Sequence, residues 1–338
     1  MWDVVGQERA VSLLERSLAG HSVAHAYLFT GPEQVGKRTL ALALARALNC
    51  EADSPPCGDC GSCRKITAGR HADVQIITLG AGDAKEKEKP QTEIGIDRIR
   101  ELQHSASLPP FEGRYKVFII DGAEMMSGEA ANALLKTLEE PVGRVVFVLL
   151  TASERRLPAT VVSRCQRLEL APLSRASVAE ALTHRWGIDI TRAMLLAGLS
   201  RGALGWAVRA VQDDSLLRSR AERFSRLDEV VAGGIEARFG YARELSHEFG
   251  QSRELVAETL NLWLGWWRDL LLAKIGCPEM VANRDRLAAL NSQARDYSLC
   301  GVRDFISRLQ AASVELRCNA NPQLVLEVLL LNIPVRGG

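Results

Sequence analysis

Gly31-Pro32-Glu33-Gln34-Val35-Gly36-Lys37-Arg38-Thr39 is the stretch that decides the fold. It matches G-x-x-x-x-G-K as far as Lys37, the pattern of a loop whose backbone amides cradle phosphate at a helix N-terminus. The next position ordinarily carries Ser or Thr, whose hydroxyl binds Mg²⁺ beside the phosphates. Here it is Arg38, which has donors only and stays protonated at any ordinary pH. The stretch therefore implies phosphate binding by Gly31, Gly36, Lys37, Arg38 and Thr39, and makes metal-dependent hydrolysis doubtful. A cation at Arg38 can offset phosphate charge in place of the metal. The plainer alternative is a chance match in a glycine-bearing turn.

The flanks favour the loop. Ala26-Tyr27-Leu28-Phe29-Thr30 before it reads as a strand, and residues 39–48 after it are Ala/Leu-rich and read as a helix. Continuous apolar runs at residues 74–79, 117–121 and 145–150 predict further strands, buried on both faces of a parallel sheet. Helical patterns at residues 96–104 and 129–139 lie between them, the second closed by Pro141. Such alternation predicts a doubly wound α/β domain. Residues 80–91 hold Glu-Lys repeats without an apolar anchor and read as a mobile surface loop. A last short strand is expected at residues 166–170, after which strand signals stop at Ala171-Pro172-Leu173. Residues 177–209 read as short helices broken near Gly187 and Gly202. From Ser215 the pattern is helical, with breaks at Gly233-Gly234, Gly276-Cys277-Pro278 and residues 319–322. An α/β domain, a small helical domain and a larger helical domain are expected.

The 338 residues are 47% hydrophobic, enough for well-packed cores, and carry a formal net charge of +1. No global field drives such a chain onto nucleic acid or membrane. Met1 opens a polar, amphipathic stretch, and the apolar runs at residues 260–267 and 324–331 are too short or interrupted to span a bilayer. A cytosolic protein is expected, with its eight cysteines reduced.

Asp121 ends an apolar strand, as the metal-organising carboxylate of phosphate-loop sites does. It reads equally as a helix-start cap. The following position, where many such ATPases carry a water-polarising Glu, is Gly122. Glu124 has a different spacing and is expected to point elsewhere. Thr151 and Ser153 follow the strand at residues 145–150, where a polar side chain can sense a γ-phosphate, or simply make a turn. Cys57-x-x-Cys60-x-x-Cys63 lies shortly after Cys50, among Gly, Pro and Ser. Thiols at this spacing suit a closed, structural tetrahedral zinc site. Free thiols, or a site completed by His71 instead of Cys50, are the alternatives. Cys277, Cys300 and Cys318 sit at helical positions and read as buried small residues. Ser163-Arg164-Cys165 taken alone reads as a solvated charge or half of an ion pair.

Together these residues resemble the AAA+ clamp-loader subunits of bacterial DNA polymerase III, the delta-prime family in particular. The likeness covers most of the chain. It is carried by Val5-Gly6-Gln7, His25-Ala26-Tyr27-Leu28-Phe29, the Gly31 loop, the Cys50 to Cys63 cluster and Ile119-Ile120-Asp121. It continues in Asn132-Ala133-Leu134-Leu135-Lys136-Thr137-Leu138-Glu139-Glu140-Pro141 and Ser163-Arg164-Cys165, and in the final helical segment at residues 319–331. The resemblance implies an AAA+ P-loop domain, a doubly wound parallel sheet with a zinc insertion, over residues 1–171 (zinc module about 50–63). A helical lid at 172–212 and an all-α collar at 213–338 would follow. It implies structural Zn²⁺ on Cys50, Cys57, Cys60 and Cys63, and an ATP or ADP site that includes Asp121 and Thr151, with Mg²⁺ doubtful. Arg164 would be an arginine finger acting in trans on ATP held by a neighbouring ATPase subunit. The implied partners are the gamma/tau and delta subunits in a hetero-oligomeric ring, with the sliding clamp and primer–template DNA reached through the complex. Members of the delta-prime family act as rather rigid stators with little or no ATPase activity of their own, inside a DNA-directed DNA polymerase holoenzyme. The segment Ser200-Arg201-Gly202-Ala203-Leu204-Gly205 aligns with the family's second sensor arginine, but places Gly205 there, with Arg201 off register. Arg38, Gly122 and Gly205 argue against the alternative, an active gamma/tau-type ATPase, since each removes a different catalytic part. A simple nucleic-acid adaptor would leave Arg164 unexplained.

Overall fold

The computed structural model describes residues 2–79, 93–140, 143–318 and 320–335. The surface loop expected at residues 80–91, Pro141 and Asn319 lie outside the described residues. The chain forms two compact units, residues 1–181 with 202–206, and residues 182–201 with 207–338.

The first unit runs α1 (Glu8–Ala19), β1 (Ala26–Thr30), α2 (Lys37–Asn49), α3 (Gly61–Thr67), β2 (Val74–Ile77), α4 (Ile96–Ser107), β3 (Lys116–Asp121), α5 (Gly128–Glu139), β4 (Val145–Thr151), α6 (Ala159–Val162), β5 (Gln166–Glu169), and then enters α7 (Arg175–Trp186). All five expected strands are present and pair in parallel in the order β2-β3-β4-β1-β5. Every residue of β4 is buried, because period-2 alternation sends its side chains to two covered faces. On one face Tyr27, Phe29, Val117, Ile119, Val146 and Val148 pack against Leu14 of α1 and Leu40, Leu44 and Leu48 of α2. On the other, Leu28, Phe118, Ile120, Phe147 and Leu149 pack against Ile99 and Leu102 of α4 and Leu134 and Leu138 of α5. Phe118 and Phe147 stack there, with ring centroids 5.5 Å apart.

Two buried polar side chains fix the turn that enters β3. Asp73 accepts hydrogen bonds from the amides of Phe111, Glu112 and Gly113 at 2.7–2.8 Å. Burial pushes its carboxyl up, but the three amides outweigh that and hold it below the ordinary carboxylate value. The Oδ1 of Asn49, at the end of α2, accepts from the amides of Arg114 and Tyr115.

The second unit is helical. It takes the end of α7, then α8 (Ile190–Ser200), most of α9 (Leu204–Gln212), α10 (Ser215–Ala232), α11 (Ile235–Gln251), α12 (Arg253–Lys274), α13 (Leu287–Asp296), α14 (Leu299–Arg317) and α15 (Pro322–Leu331). The apolar run at residues 260–267 is the centre of its core. Trp263, Trp266 and Trp267 of α12 are buried against Tyr241, Phe224, Tyr297 and Phe305. An expectation fails on the same unit: Cys300 and Cys318 are exposed and Cys277 is only half-buried. Cys300 lies in the first turn of α14 and Cys318 just past its end, where helical position alone does not bury a side chain.

Asp269 of α12 is fully buried, and its Oδ2 accepts from the amides of Ala282 and Asn283 and from Asn283 Nδ2 at 2.7–3.0 Å. It also supplies the countercharge to Arg201, which ends α8 in a left-handed conformation (φ 50°). Arg201 lies so close to Gly265 that a Cβ there would meet its Nη2 at 1.6 Å. Asp269→Ala should cost about 1–3 kcal/mol in urea unfolding of the full chain, since it leaves three buried donors without their acceptor. Asp269→Asn, which keeps an acceptor, should cost less.

Candidate functional site

β4 lies between β3 and β1, so the carboxyl ends of these three strands form one ledge. Register places Thr30 level with Thr151 and Asp121 level with Leu150. The loop from Gly31 to Gly36 leaves β1 at this ledge and runs directly into α2, as open parallel sheets arrange their ligand crevices. Gly31 turns at φ 144°, and a Cβ on it would lie 2.2 Å from the carbonyl oxygen of Leu170. Gly36 takes φ 107° and has open space where a Cβ would stand. These two positions accept no other residue without moving the loop.

Lys37 is buried and its Nζ donates to the carbonyls of Gly31 and Pro32 at 2.5 and 2.6 Å. Burial pulls its pKa down, opposed by the carboxylates of Glu124, Glu33 and Asp121. Arg38 reaches Asp121, with Nη1 3.7 Å from Oδ2, and both side chains are partly exposed (55% and 32%). Thus Asp121 does not cap the short turn that follows it; it faces the residue that stands at the metal-ligand position. At that exposure and distance the pair contributes at most about 1 kcal/mol and weakens with salt. Thr39 is exposed one residue on along α2, turned about 100° away. Its hydroxyl does not take over from the missing one.

Thr151 is buried and its Oγ1 accepts from the amide of Ser153 at 3.0 Å. Glu124 does not point elsewhere, as its spacing suggested. The turn at Gly122 (φ 79°) swings it back to the ledge, where its Oε1 accepts from the amide of Ala152 at 2.9 Å. Its Oε2 is buried without a partner among the described residues, and its charge acts on Lys37 more than any other. Gly205, at the start of α9, donates its amide to the carbonyl of Gln34 at 2.9 Å. A Cβ at Gly205 would sit 2.9 Å from that oxygen. A side chain as large as a sensor arginine does not fit there without displacing the phosphate loop.

Arg164 lies away from this ledge, just past α6. Its Nη2 is 2.5 Å from Glu139 Oε1 at the end of α5, and its Nη1 donates to the carbonyl of Thr160 at 2.9 Å. One third of the side chain remains exposed. Two of the segments that carry the resemblance, residues 132–140 and 163–165, therefore meet at this ion pair.

The cysteines converge. The Sγ atoms of Cys50, Cys57, Cys60 and Cys63 all lie within 4.8 Å of one another. Cys50 caps the end of α2, Cys57 and Cys60 stand in the loop, and Cys63 is in the first turn of α3. Amides turn toward sulfur throughout: Cys57 N to Cys50 Sγ, Cys60 N to Cys57 Sγ, and Cys63 N to Cys60 Sγ, at 3.3–3.4 Å. The amides of Cys60 and Asp59 pull the Cys57 thiol down to about 6, while burial pushes Cys63 up to about 12. A donor set of four clustered sulfurs with amide support suits structural zinc. His71 is not the fourth ligand. It is buried elsewhere, its Nδ1 accepting from the amide of Asp73 at 3.2 Å.

Residues 6–174 match the family described as DNA polymerase III, delta subunit. The chain is 30% identical to the DNA polymerase III subunit delta' of Bacillus subtilis, over 96% of this chain and 95% of that protein. The chain belongs to the DNA polymerase III clamp-loader subunits. Its first unit is a five-stranded parallel α/β sheet with a cysteine insertion. Other clamp-loader subunits match as well. Identity to the tau subunit of Bacillus subtilis is 29%, over 98% of this chain and 61% of that one. Identity to the tau subunit of Escherichia coli is 40%, over 54% of this chain and 27% of that one. The chain thus spans less than two thirds of the length of either tau relative. No helix among the described residues is long and apolar enough to cross a membrane.

Proposed function

We propose that this clamp-loader subunit is of the delta-prime type: a non-hydrolysing member of a ring with gamma/tau and delta subunits, serving a neighbour's ATP site through Arg164. The ring would act on a sliding clamp and primer–template DNA. The observation that carries the reading is the Arg38–Asp121 pair, which puts a cation against the carboxylate that would organise the metal. The contact of Gly205 with Gln34 adds to it by filling the place of the second sensor. In this reading residues 1–171 are the AAA+ domain, 172–212 a lid and 213–338 a collar. Gly31, Gly36, Lys37, Arg38 and Thr39 hold phosphate, with Asp121 and Thr151 on the ledge beside them. A bound nucleotide would supply charge and connectivity at the loop; the catalytic contribution of the chain lies in Arg164.

One observation favours the gamma/tau reading, an ATPase in its own right: the unpartnered Glu124 oxygen beside Lys37 offers a carboxylate near the phosphates. The isolated chain separates the two. Under the delta-prime reading it should hydrolyse ATP no faster than background in a phosphate-release assay. Turnover that disappears in Lys37→Ala would overturn it. The trans role of Arg164 is tested by ATPase of the reconstituted complex with Arg164→Ala.

A further inference from the structure

We infer that Arg38 is a built-in replacement for the divalent metal, so that the phosphate loop takes a nucleoside diphosphate or triphosphate without Mg²⁺. The inference rests on the proposed nucleotide site but not on the Arg164 role. The residues fit the ligand: Gly36 leaves open space at the entry to α2, and Lys37 and Arg38 stand at that helix's start. Phosphate oxygens at a helix N-terminus with two cations are the expected occupant.

In metal-dependent loops a neutral hydroxyl and a carboxylate jointly hold a dication. In this chain the hydroxyl position carries a monocation, and the carboxylate already faces it across 3.7 Å. A divalent ion entering between them would meet the guanidinium at close range, so its binding is opposed rather than assisted. Arg38 itself can move to phosphate at little cost. Its side chain is more than half exposed, the contact to Asp121 is a single long one, and the pair is weak. Guanidinium also matches phosphate by paired donors, which a lone ammonium does not. With one positive charge in place of two, the loop should hold the less charged diphosphate at least as well as the triphosphate.

The test is a titration of the full chain with a fluorescent ADP analogue and its ATP counterpart, in excess EDTA and in Mg²⁺. Affinity should differ by less than about threefold between the two conditions, and Lys37→Ala should abolish it. Arg38→Thr, at an exposed position, restores the hydroxyl and should make Mg²⁺ strengthen binding by about tenfold or more. Wild-type binding that requires Mg²⁺, binding that survives Lys37→Ala, or no binding of either nucleotide at millimolar concentration would each overturn the inference. Circular dichroism of both variants separates these outcomes from misfolding. None of them bears on Arg164, whose test is read in the complex.

Discussion

Under the finger role proposed for it, Arg164→Ala should slow ATP turnover at the neighbouring site by about 10³–10⁵-fold, the range over which an arginine finger acts on phosphoryl transfer. The rate of the whole reconstituted complex should fall by less if other ATP sites in the proposed ring do not depend on this residue. The chain itself should fold and assemble normally. Arg164 is one third exposed and its contacts are Glu139, the carbonyl of Thr160 and Ser163 Oγ. Losing a pair of that exposure costs about 0–1 kcal/mol. Arg164→Lys should rescue little, since lysine lacks the planar fork that spans phosphate oxygens. Gel filtration of the mutant complex is the necessary companion measurement. An unchanged ATPase rate in an intact complex would end the finger role, and a lower rate with lost assembly would point to the interface instead.

What was legible in the sequence had local causes. β1, β3 and β4 were readable because each is a continuous apolar run, and such runs occur where a parallel strand is covered on both sides. The cysteine cluster was readable because its ligands fall within a few residues and share one chemistry. The remainder depends on contacts between distant segments. Nothing near Asp121 in sequence announces that Arg38 faces it. Nothing near Glu139 announces Arg164. Spacing alone does not place Glu124, because Gly122 at φ 79° reverses the backbone and returns its carboxylate to the ledge. Asp73 and Asn49 look like ordinary surface polar residues until the turn into β3 brings five amides against them. The exposed Cys300 and Cys318 show the converse limit: residue type predicts burial only where the helix face is known.

The cysteine module should contain about one zinc per chain and depend on it. Structural zinc sites bind with apparent free energies of about 10–16 kcal/mol at neutral pH, and in a small module that energy is folding energy. Between Cys50 and Cys63 the chain has Glu51, Asp53, Pro55, Pro56 and Gly58 and almost no apolar side chain to bury, so sulfur ligation is what can hold the loop. Cys60→Ser removes one ligand and also the sulfur that accepts the Cys63 amide at the start of α3. Metal analysis of that variant should show zinc lost, and limited proteolysis should open residues 51–60. β1, β3 and β4 should persist in the sheet, because their core contacts lie outside the module. The pH dependence has a fixed sign. Zinc requires thiolates, so protons compete with it, and release should occur as pH falls. Protein purified without chelator that carries no zinc, or a Cys60→Ser variant with unchanged zinc content and unchanged proteolysis, would refute this assignment of the four sulfurs.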